Sequence, residues 1–174
     1  MITATQNQLL ESLLHCSLAS HPLSNPSQDM HSTATAVVST RSLSSEETLQ
    51  EQDEVLKACS FILHDQRQLL EEAIAIIDQD HMLITRYQCS HHPRFIWKVS
   101  SRRNVYICFT NYCPCRGFLD QLKTALPAAN IDGGKILCKH LLAIRIGGKL
   151  RKIKEEVVNN DIFVGMMAGD PVYQ

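Results

Sequence analysis

Two short pairs of metal-binding residue types constrain this chain more than any other feature of it. Cys113-Pro114-Cys115 and Cys138-Lys139-His140 are separated by 22 residues. Zinc takes four thiolate or imidazole donors at the corners of a tetrahedron, and two tight pairs joined by a loop are how a small module supplies them. In extended backbone the alternate spacing of Cys113 and Cys115 aims both sulfurs to one side, and Pro114 stiffens the step between them. The second pair falls where a helix is predicted over Cys138–Ile146, ended by Gly147-Gly148. Backbone N–H groups at a helix start point outward, and the dipole there favours a negative sulfur. Leu141, Leu142, Ala143, Ile144 and Ile146 are expected to bury that helix and hold its ligands at a fixed distance from the first pair. The expectation is one structural zinc ion on Cys113, Cys115, Cys138 and His140.

Any one of these cysteines alone would more often be a small buried hydrophobe. It is the two pairs together that point to a metal. Cys108, five positions before Cys113, reads as a sheet residue by its alternation with Ile107 and Phe109, with a rearranged site that uses it as the alternative. Cys16, Cys59 and Cys89 have no ligand type at useful spacing, and His91-His92 beside Pro93 reads as an exposed hairpin tip. Seven cysteines, an odd number, fit a reduced compartment, cytosol or nucleus, better than a disulfide framework.

The rest of the chain predicts an α+β fold: N-terminal helices, a small antiparallel three-stranded sheet and a zinc module ending in a helix. Residues 1–43 are rich in Ser, Thr, Gln and Asn and read as a disordered extension. Asn7–His15 is helical in pattern but too short to be stable by itself, so a transient turn is expected there, with a partner-docking helix as the alternative. The helical segment spans 44–80. Ser44 with Glu47 forms a capping box, and helices are predicted over Ser45–Leu63 and Gln66–Ile77. From 81 to 148 come the sheet and the zinc module. Alternation predicts strands at Met82–Tyr87, Phe95–Val99 and Val105–Phe109, and Gly117–Leu126 forms a short helix before the loop Pro127–Gly134. Residues 149–174 read as a basic, flexible tail.

Charge divides along the same line. Residues 1–85 carry three basic against twelve acidic side chains, and residues 86–174 carry fourteen against six. The basic half suits a nucleic acid, an acidic protein surface, or the acidic helices of its own N-terminal half. No apolar run approaches the ~18 residues of a membrane span, and no basic residue precedes Arg41 to make a leader, so the chain reads as unexported.

The string Cys113-Pro-Cys115…Ile136-Leu-Cys138-Lys-His140-Leu-Leu-Ala143 resembles the SWIM-type zinc finger, Cys-x-Cys-x(n)-Cys-x-His-x-x-Ala, downstream alanine included. From Phe61 to about Ile146 the chain is similar to the zinc finger SWIM domain-containing protein 7 family, with Ala73–Asp80, Met82–Thr85 and Val105-Tyr106 contributing to the likeness. The resemblance implies the SWIM subunit of a Shu complex. Such a subunit partners a small RecA-like recombinase paralogue and promotes recombinase filaments on single-stranded DNA in homologous recombination and DNA double-strand break repair. It also implies nuclear residence and a packing role for Ala143. Two departures are visible: a longer spacer between the ligand pairs, and an N-terminal extension with no counterpart.

Three functions compete on these residues. The first is a non-catalytic zinc-binding subunit acting through the recombinase paralogue. The alternative is a SWIM zinc module that binds single-stranded DNA directly through its basic half, with Tyr106, Tyr112 and Phe118 as stacking faces. The third, a thiol enzyme built on Cys138 and His140, suffers because a helix would splay the two side chains and no Asn or Asp is evidently placed to orient the imidazole.

Overall fold

A computed structural model describes residues 2–14, 45–79, 84–100, 104–125 and 136–170. The architecture is α+β, with six α-helices and one four-stranded mixed sheet among the described residues. No helix among them is long and apolar enough to cross a membrane.

Helix α1 spans Ala4–Leu14 and helix α2 Ser45–Ile62; a 3-10 turn at His64–Gln66 joins α2 to α3, Arg67–Asp78. Helix α3 buries Leu70, Ala73 and Ile76, a spacing of three that keeps one stripe inward. It lies against α5, Lys139–Lys149, which buries Leu141, Leu142, Ala143, Ile144, Ile146 and Gly147 and so runs through the middle of the core. Strands β1 (Ile84–Cys89), β2 (Phe95–Ser100) and β3 (Val105–Cys108) form the expected antiparallel meander. Trp97 and Val99 of β2 pair with Cys108 and Tyr106 of β3, and this face meets the helices. Ile107 and Phe109 turn to the opposite face.

Four expectations need correction or adjustment. The extension does not begin disordered: α1 packs on α2 and α5, with Ile2, Leu10 and Leu14 buried, and Gln6 Nε2 donates to the Ile62 carbonyl and to Asp65. A short helix that is marginal alone is ordered here by tertiary burial. The C-terminal segment is not a flexible tail over its described length either. Strand β4 (Lys154–Val158) adds to β1 in parallel, completing the order β3-β2-β1-β4, and helix α6 (Asn160–Ala168) covers the outer face with Phe163 and Met166 against Cys89 and Ile96. Gly147-Gly148 does not end α5. Gly147 is buried within the helix, where a Cβ would make ordinary contacts at 3.4 Å with Ile153 Cγ1 and 3.5 Å with Ile84 Cδ1. The helix stops one turn later, where Arg151 takes a left-handed φ of 57° while Lys152 N–H reaches the Gly147 carbonyl and Arg151 N–H the Gly148 carbonyl. Finally, helix α4 spans Arg116–Ala125, starting one residue before the predicted Gly117.

Residues 15–44 lie outside the described residues, and with them Cys16 and the Ser44 end of the capping box. So do Met82 and Leu83 of the first predicted strand, Arg102 and Arg103, and the loop Pro127–Gly134.

Candidate metal centre

Strand β3 delivers the first pair. After Cys108 the chain turns through Thr110 and Asn111, closed by a single antiparallel bridge in which Phe109 and Tyr112 exchange both backbone hydrogen bonds. Cys113 and Cys115 follow, and Cys115 then opens α4: its carbonyl accepts from Phe118 and Leu119 N–H, and its Sγ accepts from Phe118 N–H at 3.4 Å. Cys138 stands at the N-cap of α5 with φ −102° and ψ 166°, and its carbonyl, though not its side chain, caps the helix by accepting from Leu142 N–H. Each pair is therefore set at the N-terminus of its own helix, and two positive helix ends converge on one cluster of sulfur. The sequence anticipates both helix starts, the first of them one residue late, at Gly117.

The ligand atoms of Cys113, Cys115, Cys138 and His140 all lie within 4.8 Å of one another, and all four residues are buried. Cys113 Sγ is 3.6 Å from His140 Nδ1. A tetrahedral ion with metal–sulfur near 2.3 Å and metal–nitrogen near 2.0–2.1 Å separates those two donors by roughly 3.5–3.6 Å. The donor set and its spacing thus fit one metal ion. Cys138 and His140 do not splay as a helix would require, because Cys138 stands outside the helix in extended backbone.

Electrostatics give the same result. Hydrogen bonds from Cys113 and Cys138 hold the Cys115 thiol well below its ordinary range. Cys113 is pushed up, first through its hydrogen bond with Cys108 and then with Cys115. Cys138 is pushed up by Cys113 and Cys115 and by burial. Three thiols this close can hold one negative charge readily and resist the second and third. A divalent cation removes that conflict, since it stabilises every thiolate that binds it.

The surroundings fix the imidazole. Tyr106 stacks on the His140 ring at 4.4 Å between centroids, and this contact has no signal in the spacing of the ligands. Phe118 and Tyr112 meet edge to face beside the first pair. Gln121 of α4 donates to the Leu137 carbonyl and ties the two ligand-bearing helices together. Lys139, between the ligands of the second pair, reaches Glu72 on α3 at 3.0 Å and holds that carboxyl below its ordinary range. Cys108 is buried beside the four, with its Sγ 3.5 Å from Cys113 Sγ, but belongs to the sheet and stands outside the mutually close set. Cys59 and Cys89 are buried elsewhere.

Comparison with protein-family models, with curated proteins and with solved structures gave no match to this chain.

Proposed function

We propose that the four converging donors hold one structural zinc ion, and that the chain is a non-catalytic binding subunit of the Shu type. In this reading it resides in the nucleus and supports homologous recombination and double-strand break repair through a RecA-like recombinase paralogue. The observation that carries the proposal is the closure of Cys113, Cys115, Cys138 and His140 into one buried tetrahedron-sized cluster. Three thiolates and one imidazole are a zinc donor set, and four protein donors leave no coordination position for substrate. The SWIM-like string around these ligands supplies the recombination part of the reading.

A protein partner is favoured over direct DNA binding by the way the basic half is used. Lys139, Arg145 and Lys152 pair with Glu72, Glu11 and Asp78 of the acidic N-terminal half. Phosphates would have to compete with those carboxylates. Metal analysis of the purified chain is expected to give one zinc per molecule, and a pull-down with a recombinase paralogue is expected to lose signal in Cys138→Ser. Undiminished capture by that variant refutes the zinc-dependent part of the proposal. Salt-titrated binding to single-stranded DNA tests the competing reading, which requires affinity that falls steeply with added salt.

A further inference from the structure

Among the described residues, Cys108 is the one thiol beside the candidate centre that the four-donor set does not use. Its Sγ lies 3.5 Å from that of Cys113, and both residues are fully buried. The backbone places them deliberately close. Phe109 and Tyr112 form the hydrogen-bonded pair of the tight hairpin, and Cys108 and Cys113, one step outward on each side, fall where a non-hydrogen-bonded pair would follow. Cα atoms at such positions sit about 4.5 Å apart. That falls inside the range of about 4.4–6.8 Å that a disulfide spans. The hairpin hangs on the edge strand β3 and is closed by a single bridge, so it is the part of the site whose opening disturbs least of the fold.

We propose that Cys108 is a resolving thiol that forms a disulfide with Cys113 on exposure to a peroxide, and that this modification expels the metal ion. The proposal goes beyond the zinc reading but rests on it for the release step. The Cys113 thiolate attacks one oxygen of hydrogen peroxide, the O–O bond breaks, and a sulfenic acid and hydroxide form. The Cys108 thiol then attacks the sulfenic sulfur; the S–S bond forms, and the sulfenic oxygen leaves as water with the thiol proton. Hydroxide takes one proton from solvent. The two sulfurs are together oxidised by two electrons, and peroxide is reduced to two waters. Cys108 is suited to the second step because its sulfur stands 3.5 Å from that of Cys113 and the four-donor set leaves it uncoordinated. Once Cys113 is in the disulfide it has no thiolate to offer, and the remaining Cys115, Cys138 and His140 hold the ion less tightly.

The test uses the full zinc-loaded chain, hydrogen peroxide and a coloured zinc chelator. Trypsin cuts after Arg103 and Arg116, so one peptide carries Cys108, Cys113 and Cys115. The expected result is loss of two hydrogen masses from that peptide, fragmentation that places the link between Cys108 and Cys113, and release of one zinc per chain. Cys108→Ser is expected to load zinc normally and to retain it through the exposure that empties the wild type. A link from Cys113 to Cys115 or to Cys138 overturns the proposal, as do an unmodified Cys108 and zinc loss from Cys108→Ser as fast as from the wild type. Should the variant fail to fold, the position of the wild-type link still decides. Absence of zinc from the untreated chain would count against the zinc reading alone, because the link is mapped whether or not metal was bound.

Discussion

On the proposed zinc reading, removing the ion should melt one part of the molecule and leave the rest. Helix α4 has ten residues, and Phe118 and Ala125 are its buried ones. Burying those two side chains contributes about 3–4 kcal/mol, and the half-buried Leu119 and Leu122 about 2 more. Some six intrahelical hydrogen bonds at about 1 kcal/mol each add about 6. Fixing ten backbones costs about 10–20 kcal/mol. The helix therefore falls short by a few kcal/mol at the middle of that range, and a structural zinc contributing about 10–16 kcal/mol of apparent binding energy reverses the sign. Helix α5 is in a different position, because its buried stripe from Leu141 to Gly147 packs on α3 whether or not its first turn is pinned. Amide hydrogen exchange with and without a zinc chelator is the assay. Protection is expected to vanish over Phe109–Ala125 and to persist at Leu142–Ile146 and in β1 and β2. Chelated protein that keeps its protection at Leu119 and Leu122 would refute the claim that α4 depends on the metal.

Three further outcomes follow from particular residues. Arg151 is exposed and holds a left-handed φ of 57°, a conformation that costs a side chain about 1–2 kcal/mol, so Arg151→Gly should raise stability by up to about 1 kcal/mol after the added unfolded-state freedom is subtracted; urea midpoints of the two proteins check it, and a lowered midpoint counts against the cap. Burial pushes the Cys59 thiol from 9.0 up to about 11, so the unfolded chain loses that proton first as pH rises. The associated stability is fully present below pH 9 and is lost through about pH 11, amounting to about 2–3 kcal/mol; the difference in unfolding free energy between wild type and Cys59→Ala should shrink over that interval, and a constant difference refutes it. Leu10→Ala should cost about 2–5 kcal/mol because Leu10 is fully buried between α1 and the core, and an effect below about 0.5 kcal/mol would mean that α1 is dispensable.

The sequence was most legible where one period or one spacing controls the outcome. Period two located β1, β2 and β3 to within two residues, and period three to four located α2 and α3. The ligand spacing picked out the four residues that converge. Local composition misled where tertiary burial decided, as at α1. The C-terminal segment did carry signals that the weak hydrophobic pattern obscured. Asn159 caps α6 by accepting from Ile162 N–H at 2.9 Å, and Gly169 ends it at φ 75° with Asp170 N–H on the Gly165 carbonyl. An Asn and a Gly ten residues apart are a start and a stop. Strand β4 was harder to see, because a parallel partner reached across two strands and two helices leaves no mark at short range. Neither the Tyr106 stack on His140 nor the approach of Cys108 to Cys113 depends on spacing alone; both follow from the register of β3.

The opposed charges of the two halves meet inside the molecule. Lys139 and Arg145 lie on α5 and Lys152 just beyond it, while their partners Glu72, Glu11 and Asp78 lie on α3 and α1. Partly exposed pairs of this kind contribute at most about 1 kcal/mol each, too little to hold the fold against the loss of its apolar contacts. Their consequence is orientation. Each pair ties a point on or just beyond α5 to α3 or α1, so together they favour the one arrangement of these helices that the apolar packing also selects. Lys139 sits between Cys138 and His140, so the Glu72 contact links the start of α5 at the candidate metal site to α3. The candidate metal site and the contacts between the acidic and basic halves thus share one element, α5, so a change at either is felt at the other.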